Sequence, residues 1–268
     1  MAIVEALRNG GLDSVDARAL LRHVIGCDEV WLISHPDRQL SAKEQEAYKT
    51  LRARRAAGEP VAYLTGEREF YSLACNVTPA VLIPRPETEL LVEAALERLP
   101  VDSPLRVLDL GTGSGCVAVT IARQRPRAMV TATDISSDAL AVARGNAARH
   151  GTSIEFVESD WFAALAGRRF DLMVANPPYI ATGDAHLTTG DLRFEPRAAL
   201  VAGPLGLDCI EVIVEQAPQH LAPGGWLLFE HGYDQGLCSR ALLAAGGYQE
   251  IVTFRDLAGS ERVSGGRV

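Results

Sequence analysis

The residues best suited to chemistry are Asn176-Pro177-Pro178-Tyr179, which follow the apolar run Phe170-Asp171-Leu172-Met173-Val174-Ala175. That run reads as a buried strand, and two consecutive prolines stop a ladder or a helix from continuing past it. Neither proline has a backbone N–H. The main chain at this corner therefore offers carbonyl oxygens, beside one side-chain amide and one aromatic ring. Acceptors fixed in a stiff turn next to a flat face suit a planar donor such as an –NH2 group. The same four residues would also serve as a rigid strand-to-loop turn with a polar cap, so a second motif has to decide.

That motif is Arg106-Val107-Leu108-Asp109-Leu110-Gly111-Thr112-Gly113-Ser114-Gly115, an apolar strand entering a glycine turn ahead of a helix. Glycines let backbone approach a ligand where Cβ atoms would block it, and the helix start adds free N–H groups and a positive dipole end. A dinucleotide fingerprint would place its third glycine where Cys116 stands, which disfavours NAD. Asp134 closes the next strand, where a carboxylate can accept both hydroxyls of a ribose. The GxGxG spacing with Asp109 before it favours S-adenosylmethionine. Asp109 could hold that cofactor's ammonium indirectly or bond the N–H groups of its own turn. After the third strand, Glu158 and Trp161 could hydrogen-bond and stack on an adenine, though a tryptophan there could equally be core. Gly111, Asp134, Trp161 and Asn176 thus follow four successive strands at one carboxyl edge, where ligands of open α/β sheets collect.

Positioning these groups requires strands and helices in alternation. Strands are expected near 105–110, 129–134, 154–158, 171–175, 225–230, 248–254 and 261–267, with helices near 115–124, 137–150, 207–221 and 235–245. The fold class is α/β, a mostly parallel seven-stranded sheet whose last two strands are too close for an intervening helix. Upstream, residues 1 to about 70 read as short amphipathic helices. Ser14 is expected to cap one, and Ser41-Ala42-Lys43-Glu44 is a capping box opening another. Glu69-Phe70-Tyr71, Asn76-Val77 and Val81-Leu82-Ile83 suggest a β-hairpin between the two parts. Pro84-Arg85-Pro86-Glu87-Thr88-Glu89 then leads into a helix; Arg85 and Thr88 either line a site or simply start that helix. The segment 181–206, polar and rich in Gly and Pro, is long enough to form a substrate loop.

Composition narrows the function. With 268 residues the chain can bury a large core, and 47% hydrophobic with 22% charged residues is ordinary for a globular protein. A net charge of −8 argues against gripping nucleic acid by its phosphates. The five cysteines lie apart with no CxxC spacing, and the six histidines do not cluster, so neither a disulfide frame nor a metal is expected. No apolar run approaches the ~20 residues that cross a bilayer and no signal-peptide core is visible, so the expected location is the cytoplasm and no membrane is involved.

Nearly the whole chain resembles the release factor glutamine methyltransferases (the HemK/PrmC family). The matching stretches are Gly58-Glu59-Pro60-Val61-Ala62-Tyr63 with Gly66, the loop Ile83-Pro84-Arg85-Pro86-Glu87-Thr88-Glu89, Asp109 to Gly115, Ser159-Asp160-Trp161, Asn176 to Tyr179, Arg193-Phe194-Glu195-Pro196, Glu230-His231-Gly232 and Glu261-Arg262-Val263. The resemblance implies a helical substrate-recognition domain over 1–66, a linking hairpin over 67–84 and a Rossmann-like class I methyltransferase domain over 85–268. It implies transfer of a methyl group from S-adenosylmethionine to the glutamine side chain of the Gly-Gly-Gln motif in peptide-chain release factors, by a monomer. Gly111, Thr112, Gly113, Ser114 and Gly115 would wrap the methionine part of the cofactor, Asp134 the ribose, and Trp161 would lie by the adenine. Asn176, Pro177, Pro178 and Tyr179 would hold the glutamine, with Asn176 bordering the cofactor as well. Glu195 would order a lid, and His231 reads as structural. Rival readings are a DNA amino-methyltransferase, which would need a basic recognition region and base flipping, a NAD-dependent oxidoreductase, and a non-catalytic adaptor for translation factors.

Overall fold

The computed structural model describes residues 1–8 and 11–268. The chain divides into two compact units, Met1–Glu67 with His186–Phe194, and Arg68–Ala185 with Glu195–Val268.

The first unit is helical: α1 (Ile3–Arg8), α2 (Ser14–Ile25), α3 (Glu29–Ser34), α4 (Ala42–Ala56) and α5 (Val61–Thr65). Ser14 does not cap α2 but begins it; Asp13 is the cap, its carboxylate accepting the Val15 N–H at 2.8 Å. An Asp and a Ser side by side compete for that role, and here the carboxylate reaches the free N–H. The Ser41–Glu44 capping box is present in both directions, at 3.3 and 2.7 Å. Ile3, Leu20, Leu21, Leu32, Tyr48 and Leu64 make the core of this unit. His186–Phe194, although it follows the Asn176 corner in sequence, is built into it. The Arg55 guanidinium bridges Asp16 at 2.6 Å and Asp191 at 2.9 Å, and Arg193 donates to the Ala57 carbonyl at 2.7 Å.

The hairpin consists of β1 (Glu67–Phe70) and β2 (Leu73–Asn76); Val81-Leu82-Ile83 is not a strand. The Ile83 N–H goes instead to the buried Glu195 carboxylate at 3.0 Å, which leaves no ladder for it to join. Tyr71 and Ser72 turn the hairpin with φ of 51° and 60°. Both central φ values are positive, as a two-residue hairpin turn requires, yet neither residue is the usual Asn or Gly. The Tyr71 N–H bonded to Glu89 and the Ser72 N–H bonded to Glu69, at 2.8 and 2.5 Å, hold the turn against that preference.

The second unit contains α6 (Glu89–Arg98), β3 (Arg106–Leu110), α7 (Cys116–Gln124), β4 (Met129–Asp134), α8 (Ser137–Arg149), β5 (Ile154–Glu158), β6 (Phe170–Ala175), α9 (Asp208–His220), β7 (Leu221–Glu230), α10 (Gly236–Ala245), β8 (Gln249–Arg255) and β9 (Glu261–Arg267). Its sheet runs β5-β4-β3-β6-β7-β9-β8. β3 through β7 pair in parallel, and β9 slots antiparallel between β7 and β8. Alternate strand residues feed two cores. Val107, Val130, Leu172, Val174 and Leu228 pack with α6 and α7 residues such as Leu91 and Ile121. Leu108, Leu110, Met173, Ala175 and Phe229 pack with Ile210, Ile213 and Leu243 of α9 and α10. Cover on both faces explains why these strands read as nearly continuous apolar runs. Chain order reverses between β3 and β6, which makes their carboxyl ends the switch point of the sheet.

Phe229 is fully buried in the second of these cores. Phe229→Ala should lower the unfolding free energy by about 3–5 kcal/mol, read as a fall in denaturant midpoint at unchanged slope.

Candidate active site

Leu110 and Ala175, the last residues of β3 and β6, are register partners. The glycine turn and the double-proline corner therefore leave adjacent strands in step, only about 4.8 Å apart.

The turn is made by Gly111, Gly113 and Gly115 with φ of 67°, 55° and 79°. A Cβ on Gly113 would meet nothing within 4 Å, so the turn is open there. On Gly115 it would stand 2.8 Å from the Ala143 Cβ, because α7 begins hard against α8. The Thr112 N–H donates to the Thr133 carbonyl at 2.8 Å, lashing the turn to β4. Asp109 is buried and accepts the Thr112 hydroxyl at 2.6 Å; burial pushes its pKa up to about 6. Asp109 thus braces the turn through the Thr112 hydroxyl.

Asp134 ends β4 beside this turn. One carboxylate oxygen accepts the Gly113 N–H and the other the Ser136 N–H, both at 2.9 Å. Each oxygen keeps a further lone pair for a ligand hydroxyl. Trp161 follows β5 with φ of 45°, a conformation a bulky residue takes only when its surroundings impose it. Ser159 imposes it here by donating to the Trp161 carbonyl at 2.9 Å and accepting the Ala164 N–H at 3.0 Å. The indole comes within 3.6 Å of the Cβ position of Gly111, so Trp161 is brought to the glycine turn.

At the corner, Pro177 is buried and Asn176, Pro178 and Tyr179 are partly buried. Asn176 Nδ2 donates to the Thr88 hydroxyl at 3.0 Å. The Tyr179 hydroxyl donates to Glu230 Oε1 at 3.0 Å; burial, with that carboxylate alongside, raises the phenol's pKa. Gln235 clamps the same corner, its Nε2 within 3.0–3.2 Å of the Tyr179, Leu205 and Gly206 carbonyls and its Oε1 accepting the Gly232 N–H at 2.8 Å. Glu195 is buried and pairs with Arg85, tying the 190s to the loop before α6. His231 is fully buried between the Gly232 carbonyl and the Ser264 hydroxyl, at 2.8 and 2.9 Å, and burial lowers its pKa. These bonds give it a packing role.

Three of these residues carry little sequence signal. Thr88 reads as a helix start, Glu230 as the end of a strand, and Gln235 has no motif around it. A large cavity, about 860 Å³, lies elsewhere, at the amino ends of β3 to β6 among Arg106, Arg123, Arg168 and Arg169. Those guanidiniums are engaged by Asp171, the His150 carbonyl, Glu155 and the Leu221 carbonyl, and the groups described above are not part of it.

A switch-point glycine turn with an acidic strand end beside it, on this strand order, defines a methyltransferase of the Rossmann-like type. Residues 87–198 match the model of the methyltransferase small domain, and residues 2–66 that of the PrmC N-terminal domain. The chain is 53% identical over 271 residues to the release factor glutamine methyltransferase of Burkholderia pseudomallei, covering 98% of this chain and 95% of that one. It is 52% identical over 257 residues to the enzyme of that name from Xylella fastidiosa, covering 96% and 94%. The chain belongs to the release factor glutamine methyltransferase family. A methyltransferase of Pyrococcus furiosus, 18% identical with a TM-score of 0.55 over 82% of this chain and 98% of that one, shares the fold.

Two outcomes check this geometry. Gln235→Ala leaves three carbonyls without their donor and should lower the unfolding free energy by roughly 1–3 kcal/mol, measured by denaturant titration. Asp109 keeps its proton in the fold up to about pH 6, while the unfolded carboxyl releases it near 3.8. Its contribution to stability is therefore present below that lower value and is lost as pH rises through 6. Asp109→Asn should remove that slope from the wild-type curve of stability against pH.

Proposed function

We propose that this chain transfers a methyl group from S-adenosylmethionine to the side-chain amide nitrogen of the glutamine in the Gly-Gly-Gln motif of peptide-chain release factors. The observation that carries this reading is the pairing of Leu110 with Ala175, which puts a cofactor turn and an amide-binding corner side by side. The residues present fit the cofactor. The Gly113 turn is open, and Asp134 has lone pairs left for the two hydroxyls of a ribose. Gly111 to Gly115 would hold its methionine part and Trp161 its adenine side. When bound, S-adenosylmethionine supplies an electrophilic methyl on a sulfonium.

The rest of the work falls to the corner. An amide nitrogen is a poor nucleophile because its lone pair is delocalised into the carbonyl. With Nδ2 of Asn176 held by Thr88, the opposite end of that planar amide, Oδ1, is turned toward the substrate. Oδ1 and the Pro177 carbonyl each accept one N–H of the glutamine, which orients the nitrogen and favours the positive charge that grows on it. This is the converse of an oxyanion hole, with fixed acceptor dipoles in place of donors. Tyr179 packs against the amide plane and excludes water. No general base is needed before transfer, since the nitrogen's proton becomes acidic only once the methyl has arrived, and solvent can take it.

The helical domain, 1–66, is the recognition part in this reading. Supporting it, the segment His186–Phe194 that leaves the corner is folded into that unit. The protein partner is the release factor, with no direct grip on nucleic acid, and the enzyme works as a monomer in the cytoplasm. No helix among the described residues is long and apolar enough to cross a membrane.

The deciding measurement is mass spectrometry of a release factor after incubation with the protein and S-adenosylmethionine. One added methyl on the Gly-Gly-Gln glutamine is expected; methylation of duplex DNA in a parallel incubation, with none on the release factor, would overturn the assignment. Asn176→Ala should lower kcat by about 10²–10³, by analogy with loss of one oxyanion donor, with cofactor still bound by calorimetry.

A further inference from the structure

We propose that the arginine-lined cavity at the amino ends of β3 to β6 binds a small polyanion of the di- or triphosphate kind, at a site separate from the glycine turn and the double-proline corner. The cavity measures about 860 Å³, within the range of roughly 300–1,000 Å³ usual for small-molecule sites. Five guanidiniums line it, from Arg106, Arg123, Arg127, Arg168 and Arg169, against one carboxylate, from Glu155. The chain as a whole has the opposite balance, 34 acidic to 26 basic residues. Gathering like charges around one hollow is unfavourable unless an anion offsets them.

Their partners sort the five arginines. Two are neutralised: Arg168 donates to both carboxylate oxygens of Glu155, at 2.5 and 3.0 Å, and Arg106 stands 3.4 Å from Asp171. Arg123 and Arg169 instead bond carbonyls, of His150 at 3.3 Å and of Leu221 at 2.6 Å. A carbonyl orients a guanidinium without cancelling its charge, and each of these groups keeps further N–H donors. The exposed Arg127 side chain has no hydrogen-bond or ion-pair partner among the described residues. Arg123, Arg127 and Arg169 are therefore left with uncompensated charge facing one hollow.

Placement narrows the ligand. Arg123 belongs to α7 and Arg127 to the turn after it, while Arg169 stands directly before β6. Charges arriving from two connections suit an anion with more than one charged group. Planar forks suit phosphoryl oxygens, which they meet two at a time. A nucleobase would add nothing. The lining has no tryptophan or tyrosine, and its one phenyl ring, Phe170, is 2% exposed with the Arg168 guanidinium over it.

Calorimetric titration of the full chain tests the site, with inorganic pyrophosphate, inorganic tripolyphosphate and ATP as probes. It is run in about 0.15 M chloride, which screens exposed charges beyond roughly 8 Å. One saturable site per chain is expected, with ATP no tighter than tripolyphosphate. Arg127→Ala and Arg169→Ala should each weaken tripolyphosphate on the order of tenfold, as loss of a charge-assisted hydrogen bond does. Arg68→Ala, which removes an exposed arginine outside the cavity, should leave it unchanged. Saturating tripolyphosphate should leave S-adenosylmethionine binding intact, because the cavity and the glycine turn lie at opposite ends of β3. Absence of a saturable site for either inorganic probe, undiminished affinity in the cavity variants, ATP binding tenfold tighter than tripolyphosphate, or displacement of tripolyphosphate by S-adenosylmethionine would each overturn the proposal. Should Arg169→Ala fail to fold by circular dichroism, Arg127→Ala decides alone, since its side chain supports nothing in the fold.

Discussion

Two neighbouring parallel strands that end in step constrain everything else at this site. Parallel pairing of β3 with β6 needs crossover connections, and crossovers put helices on both faces of the sheet. Burial on both faces then fixes the register, since slipping either strand by one residue would send Leu108 and Leu110, or Met173 and Ala175, to the wrong core. Because register is held by packing, the turns beyond Leu110 and Ala175 inherit a fixed spacing. The reversal of strand order at that place leaves β4 on the far side of β3 to supply Asp134 and β7 on the far side of β6 to supply Glu230. The two flanks of the switch point are thus set by topology before any side chain is considered.

Inside that frame the corner is stiffened by polar groups that cannot be solvated. Glu195 and Glu230 are both buried, and burying a carboxylate is unfavourable unless its oxygens are satisfied. They are handled differently. Glu195 has the Arg85 guanidinium and the Ile83 N–H, which fastens the loop before α6. Glu230 receives the Tyr179 hydroxyl on Oε1, while its buried Oε2 has no hydrogen-bond partner among the described residues. Gln235, capping three carbonyls with one amide nitrogen, shows the same economy of donors around a corner whose prolines have none to give.

Much of the sheet could be read from sequence because its strands are apolar runs punctuated by glycine and proline at their carboxyl ends. Gly111 to Gly115 and Asn176 to Tyr179 announced themselves for that reason, and the structure brings both to the switch point together with Asp134 and Trp161. What sequence did not disclose is of another kind. The Tyr71-Ser72 turn has no turn chemistry of its own; its positive φ values are imposed by Glu89 and Glu69. Val81-Leu82-Ile83 has strand composition but its N–H is taken by a carboxylate more than a hundred residues away, at Glu195. Asp13 in place of Ser14 at the start of α2 was a choice between two adjacent capping residues. Thr88, Glu230 and Gln235 act through partners far off in the chain, so no local window carries their signal.

Sharing of the fold at 18% identity with the Pyrococcus furiosus methyltransferase shows how little sequence the sheet itself requires. The demands that distinguish one member of such a fold from another fall on the loops at the carboxyl edge. In this chain the loop leaving Tyr179 is tied first to its own far end, where the Ile180 N–H donates to the Leu200 carbonyl at 2.8 Å and the Ala202 N–H to the Ile180 carbonyl at 3.0 Å. Its middle, His186–Phe194, belongs to the helical unit, held there by Arg55 and Arg193.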